Sequence, residues 1–242
     1  MQLFYVSGFE GSTCVLGEEE SWHCIKVLRL HEGAQINLTD GLGNLYQGYL
    51  TKIIHMGCHI GITHVTPHNR RSNWSLHVAM APTKNIERFE WFLEKATEIG
   101  IDEITPLICE HSERKTVKLE RLQKVMVSAM KQSNKLWLPR LNEPVNFRDF
   151  ISRAYIGQKF IAWCETGNES ELHNIYQKDA DVLILVGPEG DYSKSEIELA
   201  VKSGFVPVSL GESRLRTETA GIVACHTIEM INKMVKCPVI IN

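Results

Sequence analysis

The chain has 242 residues, of which 43% are hydrophobic and 23% charged, and its formal net charge is −3. These values are typical of a globular protein of one large or two small domains and exclude a polycationic chain. No apolar run approaches the roughly 18 residues that a membrane-spanning helix needs. The first residues show neither a basic segment nor a long apolar run, so we expect no secretory signal, and the seven cysteines are dispersed without a CxxC motif. We therefore expect a cytoplasmic protein without membrane association.

Residues 1–70 contain short runs of alternating apolar and polar residues, separated by glycine turns. The runs 35–39, 45–50 and 59–65 predict strands, and the stretch 19–30 predicts a helix within the same region. Regular short strands favour a small β-barrel. A polar, proline-led segment then predicts a boundary, which divides the chain into domains of residues 1–70 and 71–242.

Beyond the boundary, predicted strands alternate with predicted helices, which indicates an α/β domain whose parallel sheet carries helices on both faces. Asn85 and Gly100 are suited to cap the first helix at its two ends. Pro106 predicts that its strand lies at an edge or contains a bulge. The predicted strands are 76–81, 104–109, 159–164, 182–186 and 206–210, and the predicted helices are 85–100, 119–133, 172–177, 194–203 and 218–235.

One basic segment stands out in a chain that is otherwise acidic. Residues 114–140 contain eight Lys and Arg residues but a single acidic residue, Glu120. On the predicted helix 119–133 the basic residues lie off the apolar stripe. The segment is either a footprint for a polyanion or a solvated helix face, and composition alone does not choose between them.

Two loops follow predicted strands at the end of the sheet where ligands of such folds bind. The first, Gly187-Pro-Glu-Gly190, precedes a helix that Ser193 and Glu196 start with a capping box. It contains neither a GK[ST] nor a GxGxxG motif. The capped helix and the negative charge of Glu189 oppose a phosphate and favour a neutral or cationic ligand.

The second loop, residues 210–221, joins the last predicted strand to the last helix and contains Arg214 and Arg216. A Thr-Glu-Thr run follows directly. Hydroxyls and a carboxylate at a helix start can be simple caps. Capping does not account for two arginines in a loop that faces a ligand.

Together these motifs resemble the RsmE family of ribosomal RNA uridine-N3 methyltransferases, which belongs to the SPOUT superfamily. The resemblance covers essentially the whole chain. Its most specific parts are the Gly-Pro-Glu-Gly loop and the run Leu-Arg-Thr-Glu-Thr-Ala. The other matching segments are His23–Leu30, Lys95–Ile101, Ser112–Arg114, Gln132–Ser133 and Leu138–Pro139.

The resemblance implies a PUA-like N-terminal β-barrel that binds RNA, a C-terminal α/β methyltransferase domain with a trefoil knot, and a homodimer. It also implies that S-adenosyl-L-methionine is the cofactor and that the substrate is N3 of a specific uridine in 16S rRNA of the assembled small ribosomal subunit. Two residues depart from the family pattern. Asp191 replaces a glycine, which Asp tolerates if φ is positive, and Lys135 replaces an arginine, which removes a bidentate donor.

With this reaction as a hypothesis, we predict which residues form the site. Arg216, with Arg214 second, would stabilise the uridine anion, and Glu218 would orient the arginine, act as base, or simply cap the helix. The cofactor would be held by Leu185, Gly187, Pro188, Glu189, Gly190, Leu210, Gly211, Leu215, Arg216, Thr217 and Thr219. The RNA backbone would be held by Lys26, Arg29, Arg114, Lys118, Arg121, Lys124, Lys131 and Lys135.

Three other functions compete with this interpretation. A noncatalytic RNA-binding assembly factor would need no cofactor loops, and a SPOUT methyltransferase could act on another RNA. A nucleotide hydrolase is disfavoured because the Lys-Ser/Thr pair of a P-loop is missing. The Cys and His residues at 55–68 do not have a standard zinc spacing and would point apart on strands, so we predict no metal site.

Overall fold

The computed structural model of the chain describes residues 2–9, 11–55, 57–69, 73–163 and 170–234. The chain forms two compact units. The N-terminal unit comprises Met1–Arg71 and Met126–Leu138, and the C-terminal unit comprises Ser72–Val125 and Pro139–Asn242. The segment Met126–Leu138 thus belongs to the first unit, although the residues on either side of it belong to the second.

The N-terminal unit contains a five-stranded sheet in the order β1-β3-β4-β5-β2. Its strands are β1 (Leu3–Tyr5), β2 (Thr13–Val15), β3 (Gln35–Thr39), β4 (Asn44–Ile54) and β5 (Gly57–Pro67). β1 pairs with β3 in parallel, and the other neighbours are antiparallel. Alternating side chains such as Leu38, Leu50 and Ile60 form a buried core. The three strands predicted here are confirmed, and β4 and β5 are longer than predicted.

The helix predicted over 19–30 is shorter in the structure. It consists of α1 (Glu18–Trp22) and a π-helical turn, His23–Val27. Arg29 has a φ of 53°, which a right-handed helix cannot accommodate. The helical segment therefore ends before Arg29, in contrast to the prediction.

The C-terminal unit contains a parallel sheet in the order β12-β10-β11-β6-β7-β8, with β9 also paired to β7. Its strands are β6 (Leu76–Met80), β7 (Glu103–Ile108), β8 (Arg140–Leu141), β9 (Val145–Asn146), β10 (Gln158–Ala162), β11 (Val182–Val186) and β12 (Val206–Val208). The strands β6 and β11 are buried over their whole length. Such continuous burial explains why β11 is an unbroken apolar run.

The remaining helices are α2 (Ile86–Ile99), α3 (Leu119–Gln132), α4 (Phe147–Ile151), α5 (Leu172–Ile175), α6 (Lys194–Lys202) and α7 (Thr217–Lys233). The predicted alternation of strands and helices is confirmed. The ends that were predicted at Cys164 and Val235 lie outside the described residues. The elements β8, β9 and α4 were not predicted, because segments of two to five residues show too little periodicity.

Pro106 does not lie at an edge, so that prediction is wrong. β7 pairs with β6 on one side and with two short strands on the other. β8 pairs as far as Ile104, and β9 pairs from Leu107. Pro106 falls in the gap between them, where a missing N–H costs no ladder hydrogen bond on that side.

Specific caps fix where the helices around the sheet begin and end. The side chain of Asn85 accepts a hydrogen bond from the amide of Glu87, and Gly100 ends α2 with a φ of 121°. Ser193 and Glu196 form the predicted capping box at α6. These caps were predicted from the sequence and are confirmed.

The helices α2 and α7 pack closely at Gly221. A Cβ atom at this position would lie 2.6 Å from the ring of Phe92 and 2.9 Å from the sulfur of Met80. No side chain fits there without displacing both neighbours. The glycine therefore sets how closely the start of α7 approaches α2.

The segment Met126–Leu138 packs within the N-terminal unit. The amide of Gly43 donates to the carbonyl of Leu136 at 2.8 Å. A Cβ atom on Gly43 would lie 2.2 Å from the ring of Trp137. The ring of Trp137 therefore packs directly against the backbone of Gly43.

The five described cysteines are buried free thiols: Cys14, Cys24, Cys58, Cys109 and Cys225. Burial raises the pKa of Cys14 to about 11, so this thiol stays protonated at neutral pH and serves packing. Of the helices in the described ranges, none combines the length and the apolar character needed to cross a membrane.

Candidate functional site

The loop after β11 is shaped by close packing. A Cβ atom on Gly187 would lie 2.9 Å from the ring of Tyr192, and one on Gly190 would lie 3.1 Å from the Cβ of His111. Asp191, at the position where the family has glycine, has a φ of 62°, a left-handed conformation that Asp tolerates better than most residues. Its amide donates to the carbonyl of Pro188 at 3.0 Å, which closes the turn.

Hydrogen bonds tie this loop to the loop after β6. The carboxylate of Glu189 accepts from the amide of Lys84 at 3.0 Å. Arg114 donates to the carbonyl oxygens of Thr83 at 3.1 Å and Lys84 at 2.8 Å. The charge of Glu189 therefore has a structural partner, in addition to opposing an anionic ligand.

The loop after β7 is tied to the same place. Nδ1 of His111 lies 3.1 Å from the carbonyl oxygens of both Gly190 and Asp191. The amide of Glu110 donates to the carboxylate of Glu196 at 2.9 Å. Because the capping residue Glu196 also holds the start of α6, three loops at the carboxyl ends of neighbouring strands form one hydrogen-bonded frame.

The loop after β12 contributes the second wall of the site. The hydroxyl of Ser209 bonds both the amide and the carbonyl of Gly211, whose φ is 124°. Arg214 and Arg216 are exposed, whereas Glu218, in the first turn of α7, is buried. No described residue forms an ion pair with Arg214 or Arg216, so both guanidinium groups are available to a ligand.

The two loops enclose a cavity of about 780 Å³. This volume lies within the range of roughly 300–1,000 Å³ that small-molecule sites occupy. Apolar side chains and loop backbone line one part of it, and acidic and basic side chains line the rest. Its wall consists of Arg88, Ala162, Trp163, Val186, Gly187, Pro188, Glu189, Asp191, Tyr192, Lys194, Ile197, Val208, Leu210, Gly211, Glu212, Ser213, Arg214, Leu215, Arg216, Thr217 and Ala220.

Most of the residues expected to hold a cofactor lie on this wall. Gly187, Pro188, Glu189, Leu210, Gly211, Leu215, Arg216 and Thr217 all line the cavity. Leu185 does not, because it is completely buried in the core of the unit. Gly190 packs against His111 instead, and Thr219 lines a second cavity.

The second cavity, of about 460 Å³, adjoins the start of α2 and α7. Its lining residues are Asn85, Glu87, Arg88, Trp91, Arg216, Glu218 and Thr219. Arg88 and Arg216 line both cavities.

Arg88 was not among the residues predicted from the sequence. Its Nε lies 3.8 Å from Oε1 of the buried Glu218, whereas Oε2 has no hydrogen-bond partner among the described residues. The arginine associated with Glu218 is therefore Arg88 rather than Arg216. A sequence clue was present, because Arg88 lies in the first turn of a helix that follows a strand end.

Tyr192 lies beneath the cavity with a buried hydroxyl that lacks a partner in the described part of the chain. Burial, together with the nearby Cys109, Glu196 and Asp191, holds its pKa well above 10. The phenol therefore stays protonated at neutral pH and cannot act as a base there.

The basic residues predicted to hold RNA belong to both units. Lys26 and Arg29 are exposed in the N-terminal unit. Arg121 is engaged by Glu90, with 2.5 Å between Nε and Oε1, and Lys131 is engaged by Glu20. Lys118 is exposed, and it forms no ion pair with any described residue.

Lys124 lies on the exposed side of α3, and Lys135 is half-buried in the segment that packs within the N-terminal unit. In the basic segment, Arg121 and Lys131 form ion pairs within the protein, whereas Lys118 is exposed.

Within the described ranges, no three Cys, His, Asp or Glu side chains are grouped as a metal would require.

Comparison with family models gives two matches. The model of an RNA methyltransferase domain matches residues 69–229, and the model of an RNA methyltransferase PUA domain matches residues 16–62. A ribosomal RNA small subunit methyltransferase E of Synechocystis is 29% identical over 226 residues, covering 91% of this chain and 74% of the relative.

Solved structures resemble the chain over nearly its full length. A probable rRNA-methyltransferase of Porphyromonas gingivalis is 38% identical, with a TM-score of 0.89 over 96% of this chain and 98% of the other. A putative methyltransferase of Legionella pneumophila, solved with bound SAM, is 29% identical, with a TM-score of 0.86 over 95% of this chain and 97% of the other. A ribosomal RNA small subunit methyltransferase E of Neisseria gonorrhoeae, solved bound to S-adenosyl methionine, is 25% identical, with a TM-score of 0.85 over 96% and 98%.

Proposed function

This chain belongs to the family of RNA methyltransferases that includes the ribosomal RNA small subunit methyltransferases E, and we propose that it methylates N3 of a specific uridine in 16S rRNA. The cofactor is S-adenosyl-L-methionine, and the substrate is the small ribosomal subunit. The observation that carries the proposal is the cavity of about 780 Å³ between the loops after β11 and β12. The homodimer, the trefoil knot and the cytoplasmic location stay predictions.

The residues of the cavity fit the cofactor. An adenosine fits the backbone of Gly187 and Gly211, which a ligand can approach closely, and the apolar side chains of Leu210 and Leu215. The carboxylates of Glu189, Asp191 and Glu212 suit the cationic sulfonium and ammonium groups. When bound there, S-adenosyl-L-methionine supplies an electrophilic methyl group, whose bond to sulfur breaks as the bond to N3 forms.

The chain must make N3 nucleophilic, because neutral uridine carries a proton at that atom. As N3 loses this proton, negative charge spreads onto the two carbonyl oxygens. Arg216 stabilises this charge through donors that no described residue engages, and Arg214 is the second candidate for this role. Glu218 positions the guanidinium of Arg88, and its second oxygen, which has no described partner, is an acceptor for the proton.

Titration calorimetry and single-turnover methylation test the proposal. The wild-type chain should bind S-adenosyl-L-methionine and not ATP. Arg216→Ala should lower the methylation rate about 10²–10³-fold. Full turnover by Arg216→Ala with normal cofactor binding would remove the arginine from the mechanism. If the chain binds cofactor but methylates a different RNA, the substrate assignment is wrong. If it binds RNA without cofactor, it is an assembly factor.

A further inference from the structure

The second cavity has a composition that cofactor binding does not explain. It is formed by the first turns of α2 and α7 in the C-terminal unit, and it shares Arg88 and Arg216 with the cofactor cavity. Its volume of about 460 Å³ is that of a small-molecule site. A group bound in the second cavity therefore contacts Arg88 and Arg216, which also line the cofactor cavity.

Trp91 is an exposed aromatic residue that lines this cavity. Trp91 is 43% exposed, whereas its neighbours on α2, Phe89 and Phe92, are completely buried. Trp91 lies three residues after Arg88 and four after Glu87, so all three share one face of the helix. Since packing does not use the indole fully, its free face can stack on a planar ligand.

The charges of the cavity match a nucleobase better than a phosphate. Arg88 and Arg216 are balanced by Glu87 and the buried Glu218. A balanced set offers no net attraction to an anion. The edge of uracil carries two carbonyl acceptors, which guanidinium donors complement. In cytosine an amino donor replaces one of these acceptors and would face a guanidinium.

We propose that this cavity receives the target uracil after it has left its RNA stack, with the ring on Trp91 and its carbonyl oxygens towards Arg88 and Arg216. This inference rests on the proposed function, because it assigns the subsite for that substrate. An enzyme that modifies a base inside folded RNA must take the base out of its stack. Glu218 holds Arg88 in place through Oε1, so Arg88 reads the base, and Oε2 of Glu218 accepts the proton from N3.

The test compares Trp91→Ala with Trp91→Phe, using unmethylated small ribosomal subunits as substrate. Trp91→Ala should lower kcat/KM about 5- to 150-fold, the equivalent of one lost base stack. Trp91→Phe should keep most of the activity because a stacking ring remains. Both variants should bind S-adenosyl-L-methionine with the wild-type Kd. Glu94→Ala, a change on the same helix outside the cavity lining, is the matched control and should behave like the wild type.

Three results would overturn the assignment. Trp91→Ala with wild-type kcat/KM would show that no base stacks there. Equal losses in Trp91→Ala and Trp91→Phe, with a changed sedimentation coefficient, would make Trp91 a contact between subunits. A wild-type chain that methylates no ribosomal RNA would instead refute the proposed function itself, so the two failures are distinguishable.

Discussion

Gly187→Ala tests whether the cofactor cavity depends on the close contact between its loop and Tyr192. The added Cβ atom would lie 2.9, 3.1 and 3.2 Å from three ring carbons of Tyr192, whereas carbon atoms pack at roughly 3.5–4.0 Å. The ring is 6% exposed and packs against Phe147 with 5.6 Å between centroids. It therefore cannot turn away without disturbing the core.

Overpacking of this kind costs about 1–3 kcal/mol. For a chain of this size we expect the Tm to fall by about 2–12 °C. Because Tyr192 lines the cavity, we also expect the Kd for S-adenosyl-L-methionine to rise at least about fivefold. Differential scanning calorimetry and titration calorimetry measure the two effects. Gly8→Ala is the control, since a Cβ atom there meets nothing within 4 Å.

A double variant identifies the cause. Tyr192→Leu removes the ring that the new methyl group would strike. If the clash is the cause, Gly187→Ala combined with Tyr192→Leu should be destabilised by less than the two single changes together. Strict additivity, or a Gly187→Ala variant with wild-type Tm and Kd, would refute this account of the loop.

The remaining predictions concern stability and RNA binding. Burial lowers the pKa of His77 from 6.5 to about 4, with Glu103 opposing and Arg140 adding to the shift. Between about pH 6.5 and pH 4 the unfolded chain therefore binds a proton at His77 that the folded chain does not. As the pH falls through this range, up to about 3 kcal/mol of the free energy of unfolding should be lost. Urea unfolding at both pH values should show less of this dependence in His77→Gln, and an equal dependence would exclude His77 as the cause. Gly221→Ala should lower the Tm by about 2–12 °C because its Cβ atom would lie 2.6 Å from Phe92; a wild-type melting curve would contradict the tight packing of α7 on α2. Lys118→Gln should reduce the slope of log K for RNA binding against log salt concentration by about 1, and Arg121→Gln should reduce it by less, because Glu90 already engages Arg121. Filter binding at low and high salt measures the slopes, and unchanged slopes in both variants would contradict this prediction.

Local rules predicted much of the sheet and its loops. The apolar run of β11 and the capping box of Ser193 and Glu196 depend on neighbours in sequence, and both are confirmed. Rules of this kind need only the period of a strand and the chemistry of a cap.

What could not be predicted depends on contacts between distant residues. Nothing in the local sequence joins Gly43 to Trp137 or Arg88 to Glu218. The position of Pro106 was predicted wrongly because β8 and β9, which leave a gap beside it, are too short to recognise. The pairing of Glu90 with Arg121 likewise turned part of the basic segment into a structural contact.

The most direct test of the central claim is a methyl-transfer measurement. The chain is incubated with S-adenosyl-L-methionine and with small ribosomal subunits that lack the modification, and the digested RNA is analysed by mass spectrometry of nucleosides. The account predicts a gain of 3-methyluridine in 16S rRNA that is lost in Arg216→Ala. Cofactor binding without any 3-methyluridine, or methylation of a different nucleoside, would contradict it.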